Sequence, residues 1–92
     1  MKGNPQAGEA EFFRRGVGAA LSQRGLGSVD AVVSWSLASK PRWRTEGGAA
    51  VADTRPCSLV RARLRVLPGG TLEVTLGRPW GEESTFTRRI KA

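Results

Sequence analysis

Arg61, Arg63 and Arg65 occupy every second position of "LVRARLRVLPGGTLEVTL", residues 59–76, just before a Pro68-Gly69-Gly70 corner. Alternate residues of a strand share a face and lie roughly 6.5–7 Å apart, comparable to the phosphate repeat of an extended nucleic-acid strand. Guanidinium groups at that spacing could track a phosphate backbone. Arg89 in "TFTRRI" and the pair Arg42 and Arg44 around Trp43 could widen the patch, and an exposed Trp43 could stack on a base. The same residues admit two other readings. One is a docking surface for an acidic protein; the other is a solvated sheet face of alternating Arg, Thr and Glu, with Trp43 folded inward.

Other chemistry is scarce. The chain has no histidine, which excludes Ser-His and Cys-His nucleophile pairs. A single cysteine, Cys57, excludes an intrachain disulfide and leaves zinc almost no ligands, so no metal or other cofactor is expected. "GVGAAL" and "GLGSVD" begin like dinucleotide fingerprints but carry Leu21 and Asp30 where the third glycine belongs. Lys40 stands one residue too far from Ser36 for a serine-lysine pair, and Glu82-Glu83, in a glycine-flanked turn, would project into water. A non-enzymatic protein is expected.

The charge balance points to the same arginine stripe. Fifteen Lys and Arg face eight Asp and Glu, a net charge of +7, and twelve of the cations are arginine. Eight cations and three carboxylates fall from Arg55 onward, against seven and five before it, so the positive field is concentrated in the C-terminal half. Such a balance favours polyanionic partners. The first residues lack the apolar run of a signal peptide, and no stretch approaches the roughly 20 apolar residues of a membrane span. The expectation is a soluble, cytoplasmic protein.

The elements that would carry the stripe follow from periodicity. Residues 1–8, with Gly3, Pro5 and Gly8, read as a flexible lead-in to a single domain over 9–92. In 9–24, "EAEFFRRGVGAALSQR", Phe13, Val17, Ala20 and Leu21 fall at helical spacing, and Gly25 supplies the stop. "VDAVVSWSLAS", 29–39, sets Val29, Ala31, Val33, Trp35 and Leu37 against Asp30, Ser34 and Ser36, which reads as a half-buried strand. A weak or bulged strand is expected between Trp43 and Asp53, punctuated by Gly47-Gly48.

The two strands around the Pro-Gly-Gly corner both bury their even positions. A three-residue corner, with Gly70 in the left-handed conformation, then pairs Val66 with Leu72, Leu64 with Val74 and Ala62 with Leu76. It also sets Arg65 across from Glu73 and Arg63 across from Thr75. The last strand turns Phe86 and Ile90 inward and Thr87 and Arg89 outward, while Trp80 anchors the preceding turn on Pro79.

These elements imply an α+β fold: an N-terminal helix packed on one face of a mostly antiparallel sheet of about four strands. The helix would dock through Phe13, Val17 and Leu21 onto Val33, Trp35, Leu64 and Val74. The other sheet face would be polar and arginine-rich, and a sheet edge could pair with a second copy to form a homodimer. Two functional readings remain. The first is an accessory protein binding nucleic acid through that face. The second is an interaction module or inhibitor, of the viral or mobile-element type, docking on an acidic surface of a larger assembly.

Overall fold

The computed structural model describes residues 6–78, 81 and 83–90. Three helices, α1 (Gln6–Phe13), α2 (Gly16–Gln23) and α3 (Val29–Ala38), precede five strands. The strands are β1 (Arg44–Glu46), β2 (Ala49–Cys57), β3 (Val60–Leu67), β4 (Thr71–Gly77) and β5 (Glu83–Arg89). They form one antiparallel sheet in which each strand pairs with its sequence neighbour, in the order β1-β2-β3-β4-β5. The fold is therefore α+β, with helices on one sheet face, as expected, and the described residues form five strands where about four were expected.

The even positions of β3 and β4 build the floor of the core. Val60, Ala62, Leu64, Val74 and Leu76 are fully buried and pack with Phe13, Val17, Leu21, Leu26, Val29 and Val32 from the helices. The register at the Pro68-Gly69-Gly70 corner is the expected one, pairing Val66 with Leu72, Leu64 with Val74 and Ala62 with Leu76. Gly69 and Gly70 both have positive φ, at 93° and 87°, and the Gly70 N–H donates to the Leu67 carbonyl at 3.2 Å. Proline followed by a positive-φ glycine suits a type II turn, and the second glycine absorbs the extra residue.

The helical layer departs from expectation in three places. Residues 6–8 belong to α1 rather than to a lead-in; residues 1–5 lie outside those described. The single helix expected over 9–24 is two, because Arg15 is extended and Gly16 has a φ of 45°. Phe13, Val17 and Leu21 nevertheless share the core, since the break turns the chain without turning those side chains away from the sheet.

The third departure is larger. Residues 29–38 form helix α3 instead of a strand. Ser28 caps it, its hydroxyl accepting from the Ala31 N–H at 3.1 Å, and Asp30 sits favourably in the first turn. Val29, Val32 and Ser36 face inward at helical spacing, and Val32 is the residue that breaks the period-two alternation. Trp35 and Leu37, expected on the sheet, are 36% and 52% exposed on α3, and Val33 is half-buried on the same helix. The buried Ser36 hydroxyl is satisfied at 3.2 Å by Thr54 of β2, which ties α3 to the sheet.

The weak strand expected before Asp53 is a hairpin, β1–β2. Gly47 and Gly48 form its two-residue turn with φ of 56° and 81°, the pair of positive values that a type I′ turn demands. At the far end Phe86 is half-buried against the core, but Ile90 lies beyond β5 and is 40% exposed. The expected Trp80 anchor on Pro79 lies outside the described residues.

Candidate functional site

The face of the sheet away from the helices carries the odd positions. Pairing across the ladders places Arg44, Val51, Arg65, Glu73 and Thr87 in one row and Asp53, Arg63, Thr75 and Thr85 in the next. Arg61, Gly77 and Glu83 form a third, and Arg89 lies at the opposite end beside Thr71. Arg61, Arg63, Arg65, Arg89 and Arg44 thus share one face. Arg42 and Trp43 precede β1, and Trp43 is 43% exposed rather than folded inward as a core plug.

The arginines on this face have two kinds of surroundings. Arg44 contacts Glu46 and also bonds Asp53 at 3.0 Å, while Arg65 reaches Glu73 at 3.4 Å. Between them Val51 is only 1% exposed although it lies on the face without helices. Its neighbours across both ladders are Arg44 and Arg65, whose aliphatic stems suit an apolar patch while their charged heads reach carboxylates. These two arginines are thus engaged by carboxylates and flank Val51.

The other end of the face is different. Arg61 and Arg55 have no ion-pair partner among the described residues. Arg63 is held by Asp53, but through Nε, which donates to Oδ1 at 2.9 Å and leaves the two terminal nitrogens outside that bond. Asp53 bridges Arg63 and Arg44 at once. Burial opposes its ionisation, yet the hydrogen bonds from Arg63 and Arg44 outweigh this and hold the carboxyl below its ordinary range. Conversely, the bond to Asp53 raises the pKa of Arg63 above the ordinary arginine value.

Arg61 and Arg63 line a hollow of about 170 Å³ with Thr75, Gly77, Glu83 and Thr85. Gly77 contributes no side chain, so the notch between Arg61 and Glu83 reaches the backbone. The Thr75 and Thr85 hydroxyls bond each other at 3.0 Å and can turn toward a bound group. A second hollow, lined by Asp53, Thr54, Arg55 and Arg61, adjoins the first at Arg61. Two unpaired guanidiniums, the terminal nitrogens of a third and two hydroxyls can together donate to phosphate oxygens.

No protein-family model matches the chain, no curated protein matches its sequence and no solved structure matches its fold. What the site can do rests on its own geometry.

Arg55, Thr75 and Thr85 were not among the residues singled out from sequence. The Arg63–Thr75 pairing was readable, but Arg55 sits at the bulge between Thr54 and Cys57, where alternation fails. The acids that engage Arg44 and Arg63 were hidden by the unrecognised β1–β2 hairpin, which brings Glu46 and Asp53 to the same face. Among the described residues no helix is long and apolar enough to cross a membrane.

Proposed function

We propose that the chain is a small non-enzymatic accessory protein that binds nucleic acid, gripping phosphates at the Arg55, Arg61 and Arg63 end of its open sheet face. One observation carries this reading: Arg61, without an ion-pair partner among the described residues, and Arg63, whose terminal nitrogens lie outside its bond to Asp53, line a hollow with Thr75, Thr85 and Glu83, whereas Arg44 and Arg65 are engaged by carboxylates beside Val51. Arg89 and Arg42, both exposed and without an ion-pair partner among the described residues, can add peripheral contacts. Trp43 is exposed enough to stack on an unpaired base.

The test is the salt dependence of binding to random-sequence DNA and RNA, single- and double-stranded. Replacing Arg55, Arg61 and Arg63 together by glutamine should flatten the slope of log affinity against log salt by roughly 2–3, at about 0.7–0.9 per phosphate contact. Arg65→Gln should leave the slope in place. The triple variant should melt close to wild type, because its lost pair is solvent-exposed and worth about 0–1 kcal/mol. Trp43→Ala should weaken single-strand binding without altering the slope. A triple variant that keeps affinity and slope would make the arginines a solvated face. A wild-type protein that binds neither heparin nor nucleic acid at physiological salt would favour docking on an acidic protein surface.

A further inference from the structure

We infer that β5 pairs with β5 of a second copy, antiparallel about Phe86, to form a two-fold symmetric dimer with one continuous sheet. The sheet has two edges of unequal kind. β1 is three residues long, whereas β5 runs for seven residues with no proline and no irregularity in its pairing with β4. Of the devices that blunt native edges, β5 lacks shortness, proline and bulges; it does carry charge, but its inward Arg88 is neutralised by Glu9 and Asp30, and its outward charges, Glu83 and Arg89, are of opposite sign.

Hydrogen-bond phase identifies which backbone groups β5 leaves free. The Ile90 N–H donates to the Gly70 carbonyl at 2.7 Å, so even residues direct their N–H and C=O toward β4. An unbroken register carries that phase back along the strand. Glu83, Thr85, Thr87 and Arg89 therefore aim their backbone groups at the open edge. The edge is also accessible, for Gly8, Glu9 and the residues from Ser84 to Arg88 line an open groove of about 530 Å³ beside it.

The sequence of β5 is complementary to itself. Antiparallel pairing centred on Phe86 sets Glu83 opposite the partner's Arg89, Arg89 opposite the partner's Glu83, and Thr85 opposite the partner's Thr87. Those odd positions are the ones with outward backbone groups, giving up to about eight interchain hydrogen bonds. Phe86 then meets its own copy at a non-hydrogen-bonded position, where side chains approach most closely, beside Phe12, whose ring already lies 5.2 Å from that of Phe86. Neither Glu83 nor Arg89 has an ion-pair partner among the described residues. Sliding the register by two residues in either direction breaks both Glu83–Arg89 pairs.

The axis stands perpendicular to the sheet, so both helical layers lie on one side and both open faces on the other. This inference does not depend on nucleic-acid binding.

Sedimentation equilibrium over a concentration series tests it. Wild type should dimerise, and Glu83→Arg or Arg89→Glu should each weaken the dimer by about tenfold or more, since two attractive cross-strand pairs become repulsive. Mixing the two single variants should restore a heterodimer, because each then meets the opposite charge at both positions, and the double exchange should restore the homodimer. Thr87→Pro, which removes an outward N–H, should give a monomer with an unchanged circular dichroism spectrum. A wild type that stays monomeric at hundreds of micromolar overturns the proposal. So does a dimer indifferent to all three substitutions, or one that the charge exchange fails to restore.

Discussion

Asp53 is the residue on which the open face turns. It lies on the same face as the arginine stripe, accepts from Arg63 and Arg44, and keeps its charge because those bonds outweigh the cost of partial burial. Its folded pKa is below its unfolded value of about 3.9, so the stability it contributes is present above that value and is lost as the pH falls through the folded pKa. Thermal melts between pH 5 and pH 2.5 should show wild type losing more stability than Asp53→Asn, which has no such proton to bind. Equal losses would mean that Asp53 contributes nothing through its charge. The stripe itself was legible because strand alternation reveals which side chains share a face. The Arg65–Glu73 pair was legible too, from the register of the corner, whereas the engagement of Arg44 and Arg63 was not, because Glu46 and Asp53 arrive from a different hairpin.

At the scale of elements, legibility depended on whether one period alone explained the apolar residues. β3 and β4 have apolar even positions, and the length of their corner admits only one register that keeps both apolar sets on one face. Residues 29–38 offered apolar positions to either period, and the Ser28 cap together with Val32 decides for the helix. The α1–α2 corner carries the sharpest test. A Cβ added at Gly18 would stand 1.9 Å from the Phe12 carbonyl oxygen, backbone that cannot simply rotate away. Helix propensity favours Gly18→Ala by about 1 kcal/mol, yet overpacking of this kind costs about 1–3 kcal/mol or more. Gly8, in α1, has nothing within 4 Å of the same added atom. Denaturant titration should therefore show Gly18→Ala destabilised and Gly8→Ala neutral or stabilised by up to about 1 kcal/mol. The same sign for both would mean that the α1–α2 corner shifts to admit the added methyl group.

For the molecule as a whole, one ion-pair cluster links the start of the helical layer to the end of the sheet. Arg88 donates to both carboxylate oxygens of Glu9 at 2.6 Å and to Asp30 at 3.1 Å, joining β5 to α1 and α3. Strand alternation alone gives no hint of it, since Arg88 occupies an inward position that usually holds an apolar residue. Every strand pairs with its sequence neighbour, whereas Arg88 and Glu9 stand 79 positions apart. Hairpins close quickly and long loops slowly, so the meander can assemble before this cluster exists. Arg88 then acts as a latch on the folded state rather than a guide toward it. Arg88→Met should leave the refolding rate unchanged and speed unfolding by about thirtyfold for a loss of about 2 kcal/mol. Stopped-flow measurements that found slower refolding instead would place the latch in the transition state. If the latch forms last, the lifetime of this fold, as distinct from the speed at which it is reached, is governed by a single arginine near the end of its final strand.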